Sequence, residues 1–177
     1  MVRKQKRGQV WVSAVLFISL GVIIIALILA GAMPLVNKIS DKNTVVRTKG
    51  IVLTMDDAIR TVVNEGPGSQ RQLNPVVIDK GSLTIQEGAY ELRWELETNA
   101  VLMEKDVQIE EGHLSMVLNS TFVEEMSRMT MWVDDDGWNI TIPSPLKGPL
   151  KGSYVITVKH TGIFDASDRP LIDVTIS

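Results

Sequence analysis

Hydrophobic positions change their spacing twice along this chain. From Val10 to Met33 they form a nearly continuous run of 24 residues without a charge, VWVSAVLFISLGVIIIALILAGAM. A helix of that length reaches roughly 36 Å, against a bilayer hydrocarbon core of about 30 Å, so residues 9–33 read as a membrane-spanning helix with some tilt. A buried helix of a soluble domain is the alternative, and it would need a polar stripe. Only Gln9 at the edge and Ser13 and Ser19 within the run are polar.

After Pro34 the apolar density falls and a helical period continues. Ile39, Val46 and Leu53 lie seven apart, and Val52, Met55, Ile59 and Val62 follow at steps of three, four and three. Lys38, Asp41, Lys42, Arg47, Asp56, Asp57 and Arg60 then fall largely on the other faces, which predicts an amphipathic stalk over 34–66. Pro34 predicts a kink and Gly50 a second weak point. Gly66-Pro67-Gly68 predicts the helix end, and the polar run Ser69–Gln72 its exit loop, with a linker over 67–74.

From residue 75 to 177 the period becomes two. Tyr90, Leu92, Trp94 and Leu96 alternate with charges, and similar alternation surrounds Leu83, Val107, Met131, Ile140, Ile156 and Val174. Glu87-Gly88, Glu111-Gly112 and Asp136-Gly137 predict hairpin turns. Thr121–Glu124 fits a capping box for one short helix. The predicted class is α+β: a long N-terminal transmembrane and amphipathic helix followed by an antiparallel, sandwich-like β-domain.

Charge distribution sharpens this outline. Arg3, Lys4, Lys6 and Arg7 precede the span without an acid among them, leaving 14 cations against 21 acids, a net of −7, for the remainder. The positive-inside rule places the amino end in the cytoplasm and the region after Pro34 outside. An acidic outer region repels phosphate backbones, so no nucleic acid is expected as a partner. With no cysteine, disulfides, zinc-thiolate sites and cysteine nucleophiles are excluded.

At the edge of the span the residues read Lys6-Arg7-Gly8-Gln9-Val10-Trp11-Val12-Ser13. A short basic leader ending in Gly, then Gln, then an apolar helix resembles the class III signal peptide of archaeal type IV pilin-like proteins. That resemblance covers about 60 residues of leader and helix. It implies cleavage at Gly8-Gln9 by a prepilin peptidase, removal of leader 1–8, and assembly into a surface filament by a polytopic platform protein and a cytoplasmic ATPase. Cleavage would remove cations that a helical filament core cannot desolvate. Many type IV pilins carry Glu at the fifth mature position, where this chain has Ser13. Two other readings use the same residues. Ala30-Gly31-Ala32 matches a signal-peptidase site, and the helix could remain as an uncleaved single-pass anchor for a β-domain serving as an envelope or adhesion binding module.

Other candidate positions follow from residue type. Gly21, Ala26 and Ala30 would let neighbouring helices approach closely. Asn119-Ser-Thr and Asn139-Ile-Thr are glycosylation sequons. Pro145 to Gly152 is a doubled tetrapeptide, predicted as a loop, whose Lys147 and Lys151 either are simply solvated or touch an acidic face of the next subunit. Trp94, Trp132 and Trp138 are expected in core or cross-strand packing rather than as ligand platforms. Asp134 and Asp136 invite calcium, but Trp138 occupies a position that an EF-type loop needs for a ligand, so an acidic turn is the expectation. His113 and His160 fall on predicted strands with no clustered ligand partner. No cofactor, metal or catalytic constellation is expected, and the chain is not read as an enzyme. The expected partners are copies of itself or related pilin-like subunits, and membrane lipid.

Overall fold

A computed structural model describes the backbone of residues 5–86, 90–98, 101, 103–121, 126–143 and 148–177, with side chains from Trp11 onward. The chain divides into two compact units, 1–40 and 41–177. One helix, α1 (Gln5–Glu65), contributes to both, and its helical assignment passes through Pro34 without a break. In the first unit the apolar side chains are uncovered, from Trp11 at 75% and Phe17 at 74% exposure to Ile39 at 53%. The helix is long and apolar enough to cross a membrane.

Eight strands follow: β1 (Gln70–Gln86), β2 (Tyr90–Thr98), β3 (Gln108–Glu111), β4 (Leu114–Ser120), β5 (Ser127–Asp135), β6 (Asn139–Thr141), β7 (Leu150–Phe164) and β8 (Pro170–Ile176). They form one mixed sheet in the order β3-β4-β5-β2-β1-β7-β8-β6, antiparallel except for the β6–β8 pair. The expected sandwich is therefore corrected to one sheet with a helix on it. A sheet with one buried face needs only one covering layer, and α1 supplies it within the second unit. Val52, Met55, Ile59 and Val62 are fully buried in the same core as Leu83, Leu92, Trp94, Leu118, Met131, Ile156 and Val174.

Three residues, 136–138, connect β5 to β6. An extended chain bridges about 14 Å over that interval. In a flat sheet the five inter-strand steps between β5 and β6 would separate them by about 24 Å. The sheet consequently curls, carrying β6 back toward β5. Asp136-Gly137 is thus no hairpin, contrary to expectation: it crosses between the two ends of the curl. Trp138 sits at that closure, its ring 5.1 Å from that of Tyr90, the residue paired with Asp135.

Local sequence explains most elements. Gly66, at φ 85°, ends α1 in the left-handed conformation that glycine adopts without a Cβ clash, and the Val62 carbonyl accepts both the Gly66 N–H at 3.2 Å and Ser69 Oγ at 2.7 Å. Strict alternation buries Tyr90, Leu92, Trp94, Leu96 and Thr98 of β2. Strand β1 begins at Gln70, inside the stretch expected as a linker, because its backbone pairs with β7 from Gln70↔Lys159 onward whatever its polar side chains do. At the other end of the pairing, β7 begins at Leu150, so Lys151 and Gly152 are strand residues rather than loop. Thr121, expected as the N-cap of the short helix, donates its Oγ1 to Met126 O at 3.0 Å. The rest of the expected short helix, 122–124, and the Glu87-Gly88 turn lie outside the described residues.

Candidate functional site

Two features bear on function: the uncovered apolar helix and the polar clamp that fixes the second half of α1 to the curled sheet. In the first unit, Gly21 has open space around it, with nothing within 4 Å of where a Cβ would stand, and Ala26 and Ala30 are exposed. Lys6, Arg7, Gly8 and Gln9 lie on the first turns of α1, while Arg3 and Lys4 lie outside the described residues. In the second unit the stripe that buries is Val52, Met55, Ile59 and Val62. Ile39 and Val46, expected on the same apolar face as Leu53, are 53% and 64% exposed.

Asp56 corrects the expectation that charges avoid the packed face, since it is only 2% exposed. It tolerates burial because both its oxygens are engaged. Arg60 Nε donates to them at 2.9 and 3.0 Å, and Tyr90 Oη donates at 2.6 Å. Arg60 Nη1 reaches Asp135 Oδ2 at 3.0 Å, and its guanidinium lies 5.0 Å from the Trp138 ring centroid. One arginine thereby ties α1, β2, β5 and the β5–β6 crossing together. Burial, helped by the hydrogen bond to Asp56, pushes the Tyr90 phenol far above its ordinary range. For Arg60, burial opposes the charge but the Asp56 and Asp135 carboxylates outweigh it and raise the pKa. The i, i+4 spacing of Asp56 and Arg60 was the only sequence signal for this clamp. Arg60 Nη2, Trp138 Nε1 and Asn139 Oδ1 are buried without a hydrogen-bond partner among the described residues.

Around the clamp, Lys80 pairs with Asp41 at 2.9 Å, and Arg47–Asp79 and Lys49–Glu111 also join helix to sheet. Such exposed pairs contribute about 0–1 kcal/mol each and mainly set orientation.

The remaining candidates scatter. Asp134 and Asp136 are exposed, whereas Asp135 between them is occupied by Arg60 and by the Gly137 N–H at 2.7 Å. No three His, Asp or Glu residues converge on a metal position among the described residues. His113 lies in the β3–β4 turn and not on a strand. His160 is buried on β7, its Nδ1 accepting from Gly162 N–H at 3.0 Å. Of the tryptophans, Trp94 and Trp138 are core, while Trp132 is half-buried on the outer face of the sheet, beside Arg93 and Arg128. Asn119 is exposed on β4, but Asn139 is only 8% exposed and donates its amide to Asp165, which removes it as a surface acceptor. Lys151 is exposed, and Lys147 lies outside the described residues.

No known protein family, curated protein or solved structure matches the chain.

Proposed function

We propose that this chain is a structural subunit of an archaeal type IV pilus-like surface filament, held in the membrane by its apolar helix and assembled with copies of itself after cleavage at Gly8-Gln9. One observation carries the reading: 24 uncharged residues, introduced by a basic segment ending in Gly8, lie on a helix whose apolar side chains, from Trp11 onward, no described residue covers. Such a surface requires an apolar environment, either lipid or neighbouring helices. Moving it between those two does not impose the cost of about 0.8 kcal/mol per methylene that exposure to water would. A membrane segment can therefore become a filament core. The clamped helix and sheet of residues 41–177 would then face outward, and Gly21, Ala26 and Ala30 would be the points of close helix approach. By resemblance, the partners are a prepilin peptidase, a platform protein and an assembly ATPase.

Intact mass and N-terminal sequencing of protein taken from its native membrane test the proposal. A chain beginning at Gln9 is the expected result. A chain beginning at Met1 makes the helix a permanent anchor for an envelope-binding domain, and one beginning at Met33 makes the product secreted; either overturns the filament reading.

A further inference from the structure

The two sequons stand in opposite environments, and the difference selects between them. Asn139 opens β6 beside the β7–β8 connection that carries Asp165. It is 8% exposed, it donates Nδ2 to the Asp165 carboxylate, and its neighbours Trp138 and Ile140 are core residues. Asp165 is itself locked in place. The backbone N–H groups of Arg169 and Ser167 and the Arg169 guanidinium hold its carboxyl below the ordinary aspartate range. A bulky, hydrated substituent on Asn139 would break that contact and displace the β5–β6 crossing.

Asn119 differs at every point. Leu114, Met116 and Leu118 of β4 are buried, so Asn119 belongs to the opposite, solvent-facing set. Its side-chain amide makes no hydrogen bond to another described residue. It borders a cleft of about 300 Å³ lined by Arg93, Glu95, Arg128, Thr130 and Trp132. One aromatic face with convergent donors and an acceptor, in a volume at the small end of ligand sites, is the mixture that binds polar organic groups such as sugars. The cleft lies on a rigid three-strand surface, with Asn119 opposite Arg128 and Trp132 opposite Arg93.

We infer that Asn119 carries an N-linked glycan whose first sugar residues lie over the Arg93–Trp132 cleft, and that Asn139 is unmodified. The inference rests on the outward placement of residues 41–177 in the proposed function. The donor class is a sugar carried on a lipid pyrophosphate. Asn119 Nδ2 attacks the anomeric carbon, the N–C bond forms, and the carbon–oxygen bond to pyrophosphate breaks. The lipid pyrophosphate leaves with the electron pair, and the displaced amide proton passes to a base of the transferase. Nothing is oxidised or reduced.

Trypsin places the sequons on separate peptides, 106–128 and 129–147. The experiment is peptide mass spectrometry of full-length protein from its native cells, alongside an Asn119→Gln variant, with protease added to intact cells to establish the topology. The expected result is peptide 106–128 carrying hexose or hexosamine increments, peptide 129–147 at its bare mass, and complete loss of the increments in Asn119→Gln. Bare 106–128, modified 129–147, or increments that persist in the variant each overturn the inference. If bare 106–128 comes from protein that external protease digests, the glycan inference fails alone. If it comes from protein shielded from external protease, the outward placement fails with it.

Discussion

Replacing Tyr90 with Phe removes a single oxygen from a site that is 1% exposed and keeps the ring against Trp138. The lost contact is a 2.6 Å hydrogen bond to a buried carboxylate acceptor, Asp56. Bonds to charged groups contribute about 1.5–3 kcal/mol, and the short distance and full burial place this one in the upper part of that range. Asp56→Ala is expected to cost more, about 3–5 kcal/mol, because it strands the Tyr90 hydroxyl and leaves Arg60 only its Asp135 partner. In that background the hydroxyl has lost its acceptor, so adding Tyr90→Phe should cost about zero or restore a little stability. The assay is urea unfolding of the full chain in detergent, followed by tryptophan fluorescence and read as a double-mutant cycle. A pH series supplies an independent readout. The folded-state pKa of Tyr90 lies above its unfolded value of about 10, so the folded state holds a proton that the unfolded chain releases. Its contribution is complete below pH 10 and is lost above it, at about 1.4 kcal/mol per pH unit. Tyr90→Phe should lack that part of the alkaline decline. If the two substitutions add within about 0.5 kcal/mol, or if the wild-type and Tyr90→Phe curves stay parallel above pH 10, the clamp does not exist as described.

Two further substitutions test the fold around it. Gly81, at φ 75°, sits in the irregular stretch of β1 where the Trp94 indole donates to Lys80 O at 3.1 Å, and a Cβ there would stand 2.3 Å from Glu95 O. Gly81→Ala should therefore cost several times the roughly 1 kcal/mol that left-handed backbone alone imposes, whereas Gly50→Ala, in open space on α1, should stabilise by about 0.5–1 kcal/mol; comparable thermal midpoints for the two variants would contradict this. Asp165, whose folded-state pKa is lowered first by the Arg169 N–H, contributes stability that is present above its unfolded pKa of about 4 and lost as pH falls through the lower folded value. Asp165→Asn should flatten the acid limb of a thermal-shift profile, and an unchanged limb would refute the assignment.

Short-range pattern made several elements legible. Alternation gave the buried face of β2, steps of three and four gave the Val52–Val62 stripe, and Gly66 and Glu111-Gly112 marked a helix end and a turn that are present. Long-range pairing was not legible. Asp135 and Asn139 are four positions apart, with alternating runs on either side, a spacing that suits a hairpin. Yet β6 pairs in parallel with β8 through Ile140↔Ile172, a partner that local spacing does not encode. The first residues of β1 are polar and exposed, so periodicity is silent where backbone hydrogen bonds alone define the strand. Asp56 shows the same limit in the candidate site. A carboxylate at a core position reads as solvent-facing until Tyr90, 34 residues away, is brought beneath it.

The position of β8 also fixes a sequence of events. It lies between β7 and β6, so residues 139–141 have no strand to join until residues 170–176 have left the ribosome and reached the same compartment. Strands β1 to β5 can pair as they emerge, but the crossing that brings Trp138 onto Tyr90 must wait for residues 170–176. A nascent chain is consequently an open half-shell, with its arginine clamp unfinished, and closes only once β8 is in place.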